Sequence, residues 1–371
     1  MKKSLIALAV VGAFTAQAAM ADTTIYGAAN VSFDAVNNGA VASSANANNV
    51  ASNVSKLGFK GSEDLGDGLT AVYQFENAIT MDTGGFGGAR DTFVGLSSAT
   101  AGTVLAGVHD TPYKIATRGL DLFSDTIADN RSIMGGAGLH DLRVGNALAY
   151  VSPAMSGVTV AIATSAGAEV PTANATKASV WSLAALYGAG PINVNFGYQT
   201  ATIGSGTSGT FGATTFGNVP ANLIGGAVVA TATNDKATAW KIGGSYTMDA
   251  LQVNAIYEKL GYTRAGTDLL NESNFYLAGK YNVSASDAVK LAYTSAGKSG
   301  TPQNPNTDAT QFTVGYDHGL SKRTTVYALY SKLSNKSAAD YTFSQSTSAA
   351  NANGGVGSAP SVFSLGVKHA F

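Results

Sequence analysis

The densest charge in this sequence lies between Asp110 and Asp141, where Lys114, Arg118, Asp121, Asp125, Asp129, Arg131 and His140 fall within one long connection. Acids and bases at such spacing could catalyse a reaction, hold a metal or set up an electric field. Catalysis needs a nucleophile, a base and a group that orients the base, and no such set emerges. His109, His140, His318 and His369 show no zinc-ligand spacing, and cysteine is absent. Asp82-Thr83-Gly84 resembles an aspartic-protease triplet but occurs once, whereas that chemistry needs two carboxylates sharing a proton. GSGTSG at 204–209 lacks the Lys and Ser/Thr of a phosphate-binding loop. No cofactor, metal or enzymatic role is therefore expected. What remains for so dense a set of fixed charges is an electric field or ion pairs that hold the connection in place.

Such charges act only if a scaffold holds them beside water, and the scaffold is legible as alternation. LTAVYQFENAI puts Leu69, Ala71, Tyr73 and Phe75 on one face and Thr70, Gln74 and Glu76 on the other. INVNFGYQ, AWKIGGSYTM and NFYLAGKYNV repeat the pattern, each about as long as a tilted membrane strand. Charged residues make up only 12% of the chain, half the roughly 25% of a soluble domain. Past the N-terminal segment no apolar run approaches the ~20 residues of a membrane helix, so any membrane crossing must be made by strands.

The spacing predicts long connections near 37–53, 80–89, 110–141, 167–178, 200–237, 263–273, 297–310 and 334–361, alternating with short ones such as DLGDG (64–68), PAMSG (153–157) and HGLSKR (318–323). That division yields sixteen strands, an all-β, antiparallel transmembrane barrel with long external loops and short periplasmic turns. Closure is forced, because in hydrocarbon every backbone N–H and C=O must be paired within the protein. Sixteen strands enclose a water-filled channel. The terminal FSLGVKHAF reads as a closing strand, with Phe371 in the aromatic girdle.

The first 21 residues, with Lys2 and Lys3, an apolar run from Leu5 to Phe14 and small residues at Ala19-Met20-Ala21, read as a cleaved signal peptide. Residues 22–371 are then the mature barrel domain. Removing Lys2 and Lys3 leaves 20 basic against 23 acidic residues, a net charge of −3 that excludes a nucleic-acid surface.

SKLGFKGSEDLGDGLTAVYQFENA (55–78), RDTFVGLSSATAGTVLAGVHDTP (90–112), NALAYVSPAMSGV (146–158), VGYDHGLSKRTTVYALYS (314–331) and GVKHAF (366–371) resemble the trimeric general-diffusion porins of Gram-negative outer membranes, of neisserial and β-proteobacterial type. The resemblance implies a homotrimer, placement in the outer membrane among lipid and lipopolysaccharide, and a third long loop folded into the pore. It implies that the outer-membrane assembly machinery recognises Phe371, and that the solutes are ions and small hydrophilic molecules, diffusing passively with weak ion selectivity. On that pattern Lys114, Arg118, Asp121, Asp125, Asp129 and Arg131 in the 110–141 loop face the wall. Strand parity assigns Lys60, Glu76, Arg90, Arg143, Glu258, Lys280, Lys290 and Lys368 to the lumen. His109 stands where the family commonly has Arg; in the lumen it would add positive charge only in acid, strengthening anion preference below about pH 6. A substrate-specific channel and a non-conducting adhesin or structural barrel are the competing functional classes.

Overall fold

The computed structural model describes residues 22–136, 139–166, 179–202, 235–299 and 306–371, with short paired strands at Gly209–Phe211, Thr214–Phe216, Asn218–Val219 and Val229–Ala230. The expected signal peptide, the 167–178 connection and most of the 200–237 connection lie outside the described residues.

Sixteen long strands make one closed antiparallel sheet. They are β1 Asp22–Asn37, β2 Lys56–Gly66, β3 Leu69–Thr80, β4 Thr92–Ser98, β5 Gly102–Asp110, β6 Arg143–Val151, β7 Val158–Ala166 and β8 Ser179–Ala189. The remainder are β9 Ile192–Thr202, β10 Lys236–Met248, β11 Leu251–Arg264, β12 Thr267–Asn282, β13 Asp287–Ala296, β14 Ala309–Gly319, β15 Thr324–Asn335 and β16 Ser361–Ala370. Each pairs with its successor, and β16 pairs with β1 from Ala28↔Ala370 to Asn37↔Ser361, so no edge is left open. Two short strands, Asn46–Ser52 and Gly85–Ala89, fold back on β1 and β3 at the external end.

Side chains alternate as the sequence dictates. On β10, Trp240, Ile242 and Tyr246 are exposed outward while Ala237, Ala239 and Lys241 are buried inward. Apolar groups pointing out of a closed sheet meet lipid, and the backbone between them is already fully paired. The short turns use the residues their geometry demands: Asp67-Gly68 has φ of 50° and 74°, the left-handed pair of a tight hairpin.

The expected long connection at 263–273 does not exist. Strands β11 and β12 run on to a two-residue turn, Ala265-Gly266, with φ of 48° and 83° and a bulge at Tyr262/Thr263. Asp268, Asn271, Glu272 and Ser273 read as loop because they are polar, but a strand that rises above the lipid can carry polar groups on both faces. Two other connections turn inward. Residues 111–142 carry a short helix, α1 (Pro112–Arg118), and a 3-10 turn at Asn130–Ser132. In the connection to β16, Tyr341 and Phe343 are buried, and a 3-10 helix at Thr347–Ala352 packs beside β1 and the short 46–52 strand.

Candidate functional site

The 111–142 loop crosses the inside of the barrel and is bolted to it. Helix α1 starts where Thr111 caps the Lys114 amide and Pro112 supplies a preset φ, and it lies against β8, β9 and β10. Wall amides then seize the loop's own carbonyls. Gln199 donates to His140 O at 2.8 Å, Asn254 to Leu120 O at 2.7 Å and Gln311 to Ala128 O at 2.9 Å. Asn30 donates to Asp125 O, and the Lys290 ammonium donates to Leu122 O at 3.0 Å. Buried Glu258 accepts the Tyr113 hydroxyl and the Gly135 amide.

Three wall glycines make the seat. A Cβ on Gly197 would lie 3.0 Å from that of Ala116, one on Gly243 2.6 Å from Leu120 Cδ1, and one on Gly315 2.6 Å from Phe123 Cε1. Leu120, Phe123, Ile127 and Ile133 pack there with inward Ile256, Tyr276 and Leu329 into a dry core. The inner face of β9–β15 is thus not uniformly wet, as the polarity of its strands implied.

Within the loop, charge is largely neutralised. Asp129 is fully buried and bridged by Arg118 at 2.8 Å and Arg131 at 2.9 Å. Burial alone would raise its pKa, but the two guanidinium groups outweigh burial and hold it well below the usual carboxylate range. Asp121, beside Tyr276, is pushed up to about 6 by burial and by neighbouring Asp129. His140 is driven down to about 3 by burial in the same apolar seat.

Opposite the loop the wall stays open. Glu76 accepts from Arg90 and Tyr26 and lies 3.2 Å from Lys56, while Lys60 sits over the Tyr26 ring at 5.2 Å. Arg143 bridges Asp91 at 2.8 Å and Asp110 at 3.0 Å, and Asp110 also meets Lys114 at 3.0 Å. Lys368 approaches Asp125 at 3.8 Å, a contact between the closing strand and the loop tip.

The residues singled out in the sequence therefore fall into two sets. Lys60, Glu76, Arg90, Arg143 and Lys368 gather on the open side, with Lys114 joining through Asp110, while Arg118, Asp125, Asp129 and Arg131 form one cluster in the loop. Asp121, Glu258 and Lys290 are turned into the loop–wall contact rather than toward open space. Lys280 is half-buried on the inner face of β12. The His109 ring is buried against Phe93, ring centres 5.3 Å apart, with Nδ1 bonded to the Asp110 carbonyl at 2.6 Å, so it is held by backbone rather than standing free in the lumen. Phe371 is exposed outward; its amide and carbonyl bond Gly27, and its ring fills the space a Gly27 Cβ would need. The sequence reading missed Lys56, Asp91 and the Lys241–Asp141 pair at 2.9 Å. The inward parity of Lys56 and Lys241 was the available signal.

A family model described as Gram-negative porin matches residues 7–338. Outer membrane porin protein 32 of Delftia acidovorans is 28% identical over 392 aligned residues, covering 100% of both chains. Major outer membrane protein P.IB of Neisseria gonorrhoeae is 41% identical over 120 residues, 31% of this chain and 34% of that protein. The fold is similar to that of an anion-selective porin from Comamonas acidovorans, with a TM-score of 0.76 at 23% identity over 95% of this chain and 100% of the other. It is also similar to the trimer form of OmpT from Vibrio cholerae, with a TM-score of 0.68 at 15% identity over 95% and 100% of the two chains.

Proposed function

This chain belongs to the Gram-negative porin family, and on that premise we propose that it is a passive, water-filled outer-membrane channel with a weak preference for small anions. The observation that carries the anion preference is an asymmetry in two ion-pair clusters, those around Glu76 and Asp129. In Lys56–Glu76 and Arg90–Glu76 the acid is 4% exposed and the bases 32% and 19%. In Arg118–Asp129 and Arg131–Asp129 the acid is fully buried and the bases are 20% and 12% exposed. Glu76 and Asp129 are each shared by two bases, so each cluster presents its positive ends to water, and a permeating ion responds to the nearest exposed charge. Asp125, Asp91 and Asp317 are more exposed than the bases they pair with in the loop and on the wall and oppose this, which keeps the preference weak, while Lys368 offsets Asp125.

In this reading the 110–141 loop narrows the pore, no catalysis is involved, and solutes move down their gradients. Residues 1–21 are the export signal and 22–371 the mature barrel. The chain assembles as a trimer, as the related OmpT form does, and Phe371 serves as the assembly address.

The test is planar-bilayer recording in KCl. Ohmic steps, in groups of three, with a reversal potential of anion-selective sign in a tenfold gradient are expected. The cation-selective sign overturns the asymmetry argument. Stable insertion without conductance overturns the channel and favours a structural or adhesive barrel.

A further inference from the structure

The connection between β15 and β16 is held over the seam of the barrel by side-chain oxygens, and one carboxylate beneath it lacks a counter-charge. Asp34, on the inner face of β1, is wholly buried, as is Ser364, its register partner on β16. Asp34 Oδ2 accepts only a long bond from the Ser346 hydroxyl, at 3.4 Å, while Asp34 Oδ1 and Ser364 Oγ have no hydrogen-bond partner among the described residues. Nor, among those residues, does any Lys, Arg or His lie within ion-pair distance of Asp34. Buried Glu76, Asp129 and Asp141, by contrast, each meet a base, and Glu258 accepts a hydroxyl and an amide. Burying a charge without such partners costs several kcal/mol, so Asp34 calls for a positive charge that its own chain does not supply.

The polar atoms around it are oxygens. Ser32, one step down the same face, accepts the Asn53 amide at 2.8 Å, and Asn53 Oδ1 is itself buried and unpartnered among the described residues. Above, Gln345 takes a φ of 66°, a left-handed backbone that costs a residue with a Cβ about 1 kcal/mol, and the next residue, Ser346, turns its hydroxyl to Asp34 and accepts the Ser348 amide. Thr347 then donates to Asp82, whose other oxygen is likewise unpartnered, so two carboxylates meet successive residues of one turn. Carboxylate, hydroxyl and amide oxygens without a nitrogen base are the ligand set of a hard cation, and two acids favour a divalent one. Among the described residues no three acids or histidines converge as in a tight metal centre, so the binding is weak. We infer that Asp34, with the hydroxyls of Ser364 and Ser346, holds a calcium ion that ties the 345–352 turn to the β1–β16 seam. The site depends on neither conduction nor ion selectivity.

The test is hydrogen exchange of the Ser348, Ala349 and Asn353 amides, all bonded within this turn, on the folded barrel in detergent with either a chelator or calcium chloride. A weak site has a dissociation constant of about 1 mM, so about 5 mM calcium should slow their exchange about sixfold. Asp34→Asn, which keeps the shape and removes the charge, should abolish that protection, and Ser364→Ala should move its midpoint to higher calcium. Glu272→Gln, at the Tyr341 anchor of the same connection, should leave it intact. Heat-resistant electrophoretic migration certifies that each variant has closed its barrel, and Ser364→Ala decides alone if Asp34→Asn does not close. Absence of calcium protection, an Asp34→Asn protein protected like its parent, or an unmoved midpoint in Ser364→Ala overturns the site. Equal protection by sodium chloride of the same ionic strength overturns the divalent assignment.

Discussion

Beneath the loop the inner face of β9–β15 is dry, with Ile256, Leu260 and Leu333 wholly buried; on β1–β3 and β16 the inner face keeps Lys56, Lys60, Gln74 and Lys368 partly open. Both halves obey the same two-residue alternation. Period two therefore assigns a side chain to a face of the sheet, but what covers that face decides whether it becomes core or channel. The dry half fixes the loop, and the open half carries the water and the exposed ends of the ion pairs.

Breaking the dry half should have the largest effect. Asp129→Ala removes the one fully buried counter-ion of Arg118 and Arg131 and leaves them to the partly exposed Asp125, a loss to the loop of up to about 3 kcal/mol. The barrel should still form, with protease cleavage appearing within 110–141 and the current flickering; a quiet, protease-resistant variant would contradict the anchoring role.

Acid should loosen the same region through His140. Its folded pKa of about 3 lies below the ordinary 6.5, so its contribution is complete above pH 6.5 and is lost as the pH falls toward 3, by at most ~1.4 kcal/mol per unit. Asp121, raised to about 6 from 3.8, works in the opposite direction between those values, so the net loss is shallower there. Protection of the 139–142 amides, taken relative to their intrinsic exchange rates, should fall between pH 7 and 3, and His140→Leu should flatten the profile.

A smaller perturbation sharpens the contrast. Gly243→Ala drives a methyl into Leu120 and should cost about 1–3 kcal/mol, read as a shifted unfolding midpoint. Gly279→Ala on β12, where the nearest atom is Gln252 O at 4.0 Å, should cost almost nothing. Least disruptive is Glu76→Gln on the open side. It removes an acid from between Arg90 and Lys56 and should increase anion preference, by about fivefold at most if the lost interaction is ~1 kcal/mol, with little change in thermal stability.

The barrel was legible because alternation and turn chemistry are local: Asp67-Gly68 and Gly190-Pro191 announce hairpins within a few residues. The extension of β11 and β12 was not, since Asp268, Asn271, Glu272 and Ser273 interrupt the apolar alternation and nothing in their order says how high the lipid reaches. The charged members of the loop cluster could be named, but not their state. Whether Asp129 meets water depends on Gly197, Gly243 and Gly315, which are distant in sequence and become one seat only when the sheet closes. His109 is a mixed case: its bonding partner is the carbonyl of the next residue, but the ring that covers it is Phe93 on β4.

The seam between β1 and β16 joins residue 27 to residue 371, with Gly27 and Phe371 exchanging backbone bonds. The first strand therefore cannot acquire its second neighbour until residues 361–370 reach it. The entropic cost of closing so long a span grows only with the logarithm of its length, but the wait exposes an unpaired strand, and pairings of such separation form slowly. Until then β1 has only β2 and the short strand 46–52 beside it, which pair with opposite ends of one edge, Asp22–Ala28 and Val31–Asn37. The other edge stays vacant until β16 pairs with it, so the seam that closes the barrel is also its pairing of greatest sequence separation.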